Sequence, residues 1–260
     1  MKINELKLVY FSPTGTTRKV IMELAKNIDL KSVSFDLSVH KDKKPALNFK
    51  ANDFVVFAAP VYSGRIPATF IEYFENLKGN NTPCAIVATY GCREYEDALI
   101  ELKTEVESKG FKVIGAGAFP TEHSLSRSIG ARRPNKDDMK VIDEFGVKLN
   151  RMLKQEENFD NFNVSVPGNN PYRKYGTPSL LPKVDIDLCT ECGSCSKVCP
   201  TGAIDPEKPK KLDKKKCIGC LKCVRTCPNK ARYVSERKQE SLNKKLRGIC
   251  DSNKAAETFF

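Results

Sequence analysis

The segments "DLCTECGSCSKVCPTGAI", from Asp187, and "KKCIGCLKCVRTCPNKAR", from Lys215, align cysteine for cysteine at a constant offset of 28 residues. Each reads C-x2-C-x2-C-x3-C-P, an internal repeat of one small unit. Three cysteines spaced this closely wrap a short loop and turn their sulfurs towards one point, while the fourth is carried off on the turn that follows. Nine of the eleven cysteines lie after residue 188. Disulfides are the expectation in a small secreted domain, but the start "MKINELKLVY" carries no charged-then-apolar leader. The expectation is a cytoplasmic protein with metal-bound thiolates.

Two metals come into question. Paired C-x2-C elements are common zinc ligands, but zinc needs neither the third closely spaced cysteine nor a displaced fourth. The run with a trailing proline is that of 4Fe-4S ligation, in which the fourth thiolate serves the other cluster. The expected sets are Cys189, Cys192, Cys195 and Cys227 around one cluster and Cys217, Cys220, Cys223 and Cys199 around the other. Gly193 and Gly219 stand where backbone must pass close to sulfide and donate N–H groups to it, and Pro200 and Pro228 turn the chain away.

Upstream the texture is different. "LKLVYF", "SVSFDL", "DFVVFAAP", "CAIVATY" and "FKVIGAGAF" read as five strands. Helix-like stretches lie between and after them, over Thr16 to Asn27, "ATFIEYFENL", Tyr95 to Lys109 and Lys136 to Glu156. Continuous apolar strands alternating with helices predict an α/β fold, a doubly wound parallel five-stranded sheet of order 2-1-3-4-5. The longest apolar run, "FVVFAAPV", is far too short to span a bilayer. After residue 157 four prolines and five asparagines mark a connector.

"SPTGTT", from Ser12, follows the first strand and opens the first helix. Its amides and hydroxyls therefore gather at the carboxyl edge of the sheet, where a helix N-terminus favours an anion. It lacks the G-x4-G-K-[ST] of a triphosphate loop, so it suits a terminal monophosphate without magnesium; a hydroxyl-rich capping turn is the plain alternative. "PVYSGRIP" and "TYGCREYED" follow the strands expected beside the first, and each brings a tyrosine, Tyr62 and Tyr95, with Tyr90 competing. Flat aromatic side chains at the switch point of such a sheet suit a flavin ring, and Gly64 and Gly91 let backbone approach it.

On these residues, 184–234 resembles a bacterial two-cluster ferredoxin and 1–158 resembles a flavodoxin. The whole chain resembles flavodoxin-ferredoxin fusion proteins, with 159–183 as linker and 235–260 as a charged tail. The resemblance implies a small α+β domain with two 4Fe-4S clusters after an FMN domain. It also implies that Ser12, Thr14, Gly15, Thr16 and Thr17 hold the FMN phosphate. Pro60, Val61, Tyr62, Ser63, Gly64, Tyr90, Gly91, Cys92 and Tyr95 would line the ring. Two departures stand out: "YSGRIP" has no tryptophan, and "YGCREYED" is not the usual acidic glycine-rich run.

Some residues point elsewhere. His123 falls after the last strand, at the flavin edge, where a plain loop residue is the commoner reading. "GAGAFP" starts like a dinucleotide fingerprint but lacks its third glycine and opening helix. Residues 161–260 carry 20 Lys+Arg against 10 Asp+Glu, an excess that cluster thiolates reduce by about four charges. No aromatic-basic platform for nucleic acid accompanies it, so the run "EKPKKLDKKK" is read as a docking surface for an acidic redox partner or as a solvated turn that serves solubility. The connector, with Tyr172 and Tyr175, is expected to dock and hold a cluster near the flavin. Electron transfer is the expected function; a flavin-dependent reductase of a small organic substrate and a redox sensor are the alternatives.

Overall fold

The computed structural model describes residues 2–39, 44–156 and 158–260. The first part contains β1 (Glu5–Tyr10), α1 (Thr16–Lys26), β2 (Lys31–Asp36), β3 (Leu47–Asn48), β4 (Asp53–Pro60), α2 (Ala68–Ile71) and β5 (Leu77–Lys78). It continues with β6 (Thr82–Tyr90), α3 (Ala98–Ser108), β7 (Phe111–Pro120) and α4 (Lys136–Gln155). Then come β8 (Lys183–Val184), α5 (Ser194–Lys197), α6 (Lys222–Thr226), β9 (Arg232–Tyr233), α7 (Glu236–Arg247) and β10 (Glu257–Phe259).

The central sheet has the order β10-β7-β6-β4-β1-β2. Its five consecutive parallel strands keep the expected 2-1-3-4-5 arrangement, and β10 adds a sixth at the edge, antiparallel to β7. All nine residues of β6 are buried, as a strand covered on both faces requires. The pleat sorts the side chains: Val55, Phe57, Ile86 and Ala88 meet Leu99, Leu102 and Val106 of α3. Phe54, Val56, Ala85 and Val87 meet Val20, Ile21 and Leu24 of α1 and Ile142, Phe145 and Leu149 of α4. Each such large apolar side chain contributes about 1.5–3 kcal/mol by leaving water.

Two elements differ from the periodicity. The helix expected from Tyr95 starts only at Ala98, because Glu96 has a left-handed φ of 44° and Asp97 is held by the connector. The "ATFIEYFENL" stretch is four residues of α2 and a 3-10 turn over Phe74–Asn76.

The connector is docked. The buried Asp97 carboxylate accepts from the backbone N–H of Asn169 at 2.9 Å, its side-chain amide at 3.0 Å and the Arg173 N–H at 2.7 Å. The Arg65 guanidinium lies 4.8 Å from the Tyr172 ring and 4.3 Å from the Tyr175 ring, cation–π contacts of the sort that arginine favours. The same guanidinium forks onto Glu101, at 2.7 and 2.6 Å, and Glu101 also accepts from the Ile66 N–H and the Tyr175 hydroxyl.

The C-terminal segment returns to the first domain. β10 pairs Glu257 with Ala118 and Phe259 with Ala116. The Phe260 ring lies 5.4 Å from that of Phe145, with the Lys148 ammonium 3.5 Å from its centre. Gly115 and Gly117 of "GAGAFP" sit in β7 beneath Leu149, Phe145, Phe260 and Phe119, where a Cβ would clash.

Glu101 is the position to test. Its side chain is 2 % exposed and that of Arg65 11 %, so Glu101→Ala strands a buried cation and frees the connector. The expected loss is about 3–5 kcal/mol in denaturant unfolding, with protease cleavage appearing between residues 166 and 179.

Candidate functional site

The loop after β1 is built by its own hydroxyls. Ser12 is buried; its N–H donates to Ser38 Oγ and its Oγ accepts from the Arg18 N–H at 3.0 Å. Gly15 caps α1 with a left-handed φ of 87°, and a Cβ there would meet nothing within 4 Å. Only glycine adopts that backbone without strain. Thr16 and Thr17 begin the helix, in the first turn, whose N–H groups have no partner within the helix. Thr14 and Thr16 are half-buried, while Thr17 Oγ1 is turned inward to share a 2.7 Å hydrogen bond with Thr89 Oγ1 at the end of β6. The open side presents amides, hydroxyls and a helix N-terminus, a donor set that fits a phosphate monoester.

The neighbouring loops wall a cavity of about 340 Å³, within the range of small-ligand sites. Val61, Tyr62 and Ser63 come from the loop after β4, and Gly91 and Arg93 from the loop after β6. His123, Ser124 and Leu125 come from the loop after β7. Ser63 and Gly64 both have positive φ, at 53° and 81°, and Tyr62 and Arg65 exchange backbone hydrogen bonds across them. This is a tight turn of the I′ kind, and it holds Tyr62 at the rim. Gly91 has no side chain because His123 occupies that space: a Cβ would lie 2.4 Å from its ring.

The remaining walls come from outside the first domain. They are Arg173 and Gly176 to Ser179 of the connector, Ile218 and Gly219 of the second cysteine loop, and Leu242, Lys245, Leu246 and Ile249 of the C-terminal segment. Gly219, at φ 68°, packs so closely on the connector that a Cβ would stand 2.9 Å from Pro178. Arg225 donates to the Ser124 carbonyl at 2.8 Å and Gln239 to the Leu125 carbonyl at 2.6 Å.

Of the residues expected to line a ring, Val61, Tyr62, Ser63 and Gly91 are in this wall; Pro60, Gly64, Tyr90, Cys92 and Tyr95 are not. The tail engages the two latter tyrosines. The Tyr90 hydroxyl donates to the Ala255 carbonyl at 3.3 Å and the Tyr95 hydroxyl to Glu257 at 2.9 Å, with the rings edge to face at 5.4 Å. Cys92 is buried against Ile129 and Leu246, with Arg133 3.9 Å from its sulfur. Gly64 backs the wall, beneath Glu96 and Arg173. No residue of the phosphate-type loop lines the cavity; Thr17 is tied to Thr89, at the end of the strand that leads into Gly91.

Burial first, and then the Arg93 charge, push the His123 imidazole down to about 4. Its Nδ1 accepts from the Leu125 N–H at 3.2 Å, so the neutral ring carries its proton on Nε2. Burial pushes the Tyr62 hydroxyl well up; the nearby Cys220 raises it further and Arg225 lowers it. Tyr62 lines the cavity together with Ile218 and Gly219 of the second cysteine loop.

The eight repeated cysteines form two groups. Cys189, Cys192, Cys195 and Cys227 line one small cavity together with Arg232. Burial, and then neighbouring sulfurs of the group Cys199, Cys217, Cys220 and Cys223, push Cys223 up to about 12. Burial raises Cys220 to about 11; the backbone at Lys222 lowers it, and Cys199 and Cys217 raise it. Cys199, Cys220 and Cys223 are buried and Cys217 is half-buried; among the described residues no three such side chains converge as a single metal ion requires, and as thiolates these four would need the cationic core of a cluster to balance them. The Ala203 N–H donates to the Cys199 sulfur at 3.3 Å, the kind of bond that tunes a bound cluster. Cys192 is exposed, whereas Cys220 and Cys223 are buried.

Comparison with known proteins agrees with both halves. Residues 7–110 match the family model of a flavodoxin domain, and 181–228 match that of a 4Fe-4S dicluster domain. Ferredoxin-1 of Rhodobacter capsulatus is 62 % identical over 26 residues, 10 % of this chain and 40 % of that one. Flavodoxin 1 of Bacillus cereus aligns over 59 % of this chain and 100 % of its own at 14 % identity and a TM-score of 0.42. Flavodoxin of Fusobacterium nucleatum, solved with flavin mononucleotide, aligns over 57 % and 98 % at 15 % identity and a TM-score of 0.41. Rubredoxin oxygen:oxidoreductase of Desulfovibrio gigas aligns over 59 % and 37 % at 15 % identity and a TM-score of 0.43.

The protein joins two cofactor-binding classes in one chain. It is a flavodoxin–ferredoxin fusion, whose first domain implies FMN and whose second implies two 4Fe-4S clusters. Among the described residues no helix is long and apolar enough to cross a membrane.

His123 gives a direct readout of the cavity. Its depressed pKa means that it adds stability above about pH 6.5, and this is lost as pH falls towards about 4. By NMR the imidazole should remain neutral at pH 5.5 and titrate near 4, and Arg93→Ala should move the midpoint upward.

Proposed function

We propose that this chain is an electron carrier in which the flavin ring occupies the shared cavity and exchanges electrons with the cluster of Cys199, Cys217, Cys220 and Cys223. The observation that carries the reading is that Ile218 and Gly219 are part of the cavity wall. When bound, FMN exchanges one or two electrons and each cluster one, so the chain can divide a two-electron donation into single steps.

The residues divide the work. Thr14, Gly15, Thr16 and Thr17 hold the phosphate, and Ser12 shapes the loop. Val61, Tyr62, Ser63, Gly91 and His123 bound the ring, with Tyr62 filling the space towards Cys220. Leu242, Leu246 and Ile249 exclude water from the far side. Three of the four cysteines of the inner group, Cys199, Cys220 and Cys223, are buried and Cys217 is half-buried, while Cys192 of the other group is exposed, which suits exchange with an outside redox protein. The cavity is at the small end of ligand sites and walled from several sides, which favours a carrier over a reductase with its own organic substrate. On this reading 1–158 and 184–234 are the functional units, joined through 159–183 and braced by 235–260.

Cys227→Ala tests the ligand sets. Anaerobic wild-type protein should contain about eight iron and eight sulfide, and the variant should lose the signal of the Cys189 group alone. Zinc without sulfide in the wild type, or a lesion confined to the Cys217 group, would refute the assignment.

Stopped-flow oxidation of the reduced flavin by the clusters tests the path. The rate should not change with protein concentration and should vary little between low and physiological salt, because the partners are already docked. A rate that rises with protein concentration means that electrons pass between molecules.

A further inference from the structure

The repeat offset of 28 places Arg232 opposite Ile204: "PTGAI" in the first unit corresponds to "PNKAR" in the second. Ile204 is 2 % exposed and packs between Cys195 and Cys223. Arg232 is 3 % exposed. A charged guanidinium thus stands where the symmetry of the domain puts an aliphatic side chain.

Its partners do not balance that charge. One terminal nitrogen donates to the Pro209 carbonyl and, at 3.4 Å, to the Lys211 carbonyl. Nε is buried with no acceptor. Among the described residues no carboxylate forms an ion pair with it, although thirteen ion pairs occur elsewhere. A buried cation without a counter-charge costs several kcal/mol, and an aliphatic residue is tolerated at the equivalent place. The position demands a reason beyond packing.

The missing negative charge is at hand on both sides. Arg232 lines the cavity of Cys189, Cys192, Cys195 and Cys227, and its strand β9 packs against α6, which carries Cys223 of the other group. Four thiolates around a core of charge +2 leave each cluster about −2, and each gains one more negative charge on reduction. A fixed cation in a dry setting favours the more negative state.

We propose that Arg232 is the shared internal counter-ion of the two clusters and raises the reduction potential of both. This rests on the two-cluster reading above. Arg232 accepts no electron and binds no metal; it is a positioning charge that makes the reduced clusters easier to form. It sits on β9, whose Arg232 pairs with Val184 of β8, so the position of its backbone does not depend on a mobile loop.

The test is an EPR-monitored redox titration of the anaerobically purified full chain, with Arg232→Lys, Arg232→Gln and Arg232→Met. Iron and sulfide are measured first in each protein. Wild-type protein without clusters would sink the cofactor reading and this inference with it. With clusters present, Gln and Met should make each one-electron reduction at least tenfold less favourable, a fall of 59 mV per tenfold step. Lys, which keeps the charge, should recover most of the loss. If the neutral variants fail to assemble clusters, Lys decides: a wild-type potential supports the counter-ion and a fall as large as tenfold overturns it. Unchanged potentials in loaded Gln or Met protein, or a Lys variant as low as Gln, would refute the role of charge and leave the cluster assignment standing.

Discussion

The buried pair of Arg65 and Glu101 is the interaction on which the arrangement of the domains depends. One carboxylate receives the fork of Arg65, the Ile66 amide and the Tyr175 hydroxyl. The other face of the guanidinium is taken by Tyr172 and Tyr175. A charge this deep is held only when its hydrogen-bonding directions are filled, so the turn after β4, the start of the connector and α3 are fixed together. Once the connector is fixed, Pro178 and Leu180 receive Gly219, and the second cysteine loop shares a cavity with the loops after β4, β6 and β7.

The two cysteine groups differ as a result, although their sequences nearly repeat. The loop of one, at Ile218 and Gly219, lines the cavity; the other has Cys192 in solvent and Ile186 and Leu188 exposed near it in the chain. An electron site that serves an internal partner gains from being dry, and one that serves an external partner must be reachable. The asymmetry sets one cysteine group beside the cavity and the other at the surface. Arg232 adds a second asymmetry, of charge, between the halves of the repeat.

The C-terminal segment takes part in the first domain and in the cavity at once. β10 covers the outer edge of β7, Glu257 and Ala255 hold Tyr95 and Tyr90, and Leu246 packs on Cys92. Edge strands expose unpaired backbone groups, and here the chain's own end covers one. Two tyrosines whose spacing suggested ring contacts are used to fasten that end.

The parallel sheet, its strand order and the turn that opens α1 were legible in the sequence because each depends on local pattern: apolar runs, strand–loop–helix order and a glycine at the helix start. The cysteine spacing likewise contains its own ligand logic, since the sulfurs of each loop are brought together by a few bonds. What the sequence could not decide was where the side chains of the ring loops point. Tyr90 and Tyr95 have the same chemistry as Tyr62, and only Glu257 and Ala255, more than 160 residues away, turn them aside. The tail read as charged, yet three residues, Glu257–Phe259, enter the sheet because an open edge of β7 was available to pair with. Local pattern determines which elements form and which atoms can bind a group; which of those atoms face one another depends on long-range packing, and that was decided by the tertiary structure.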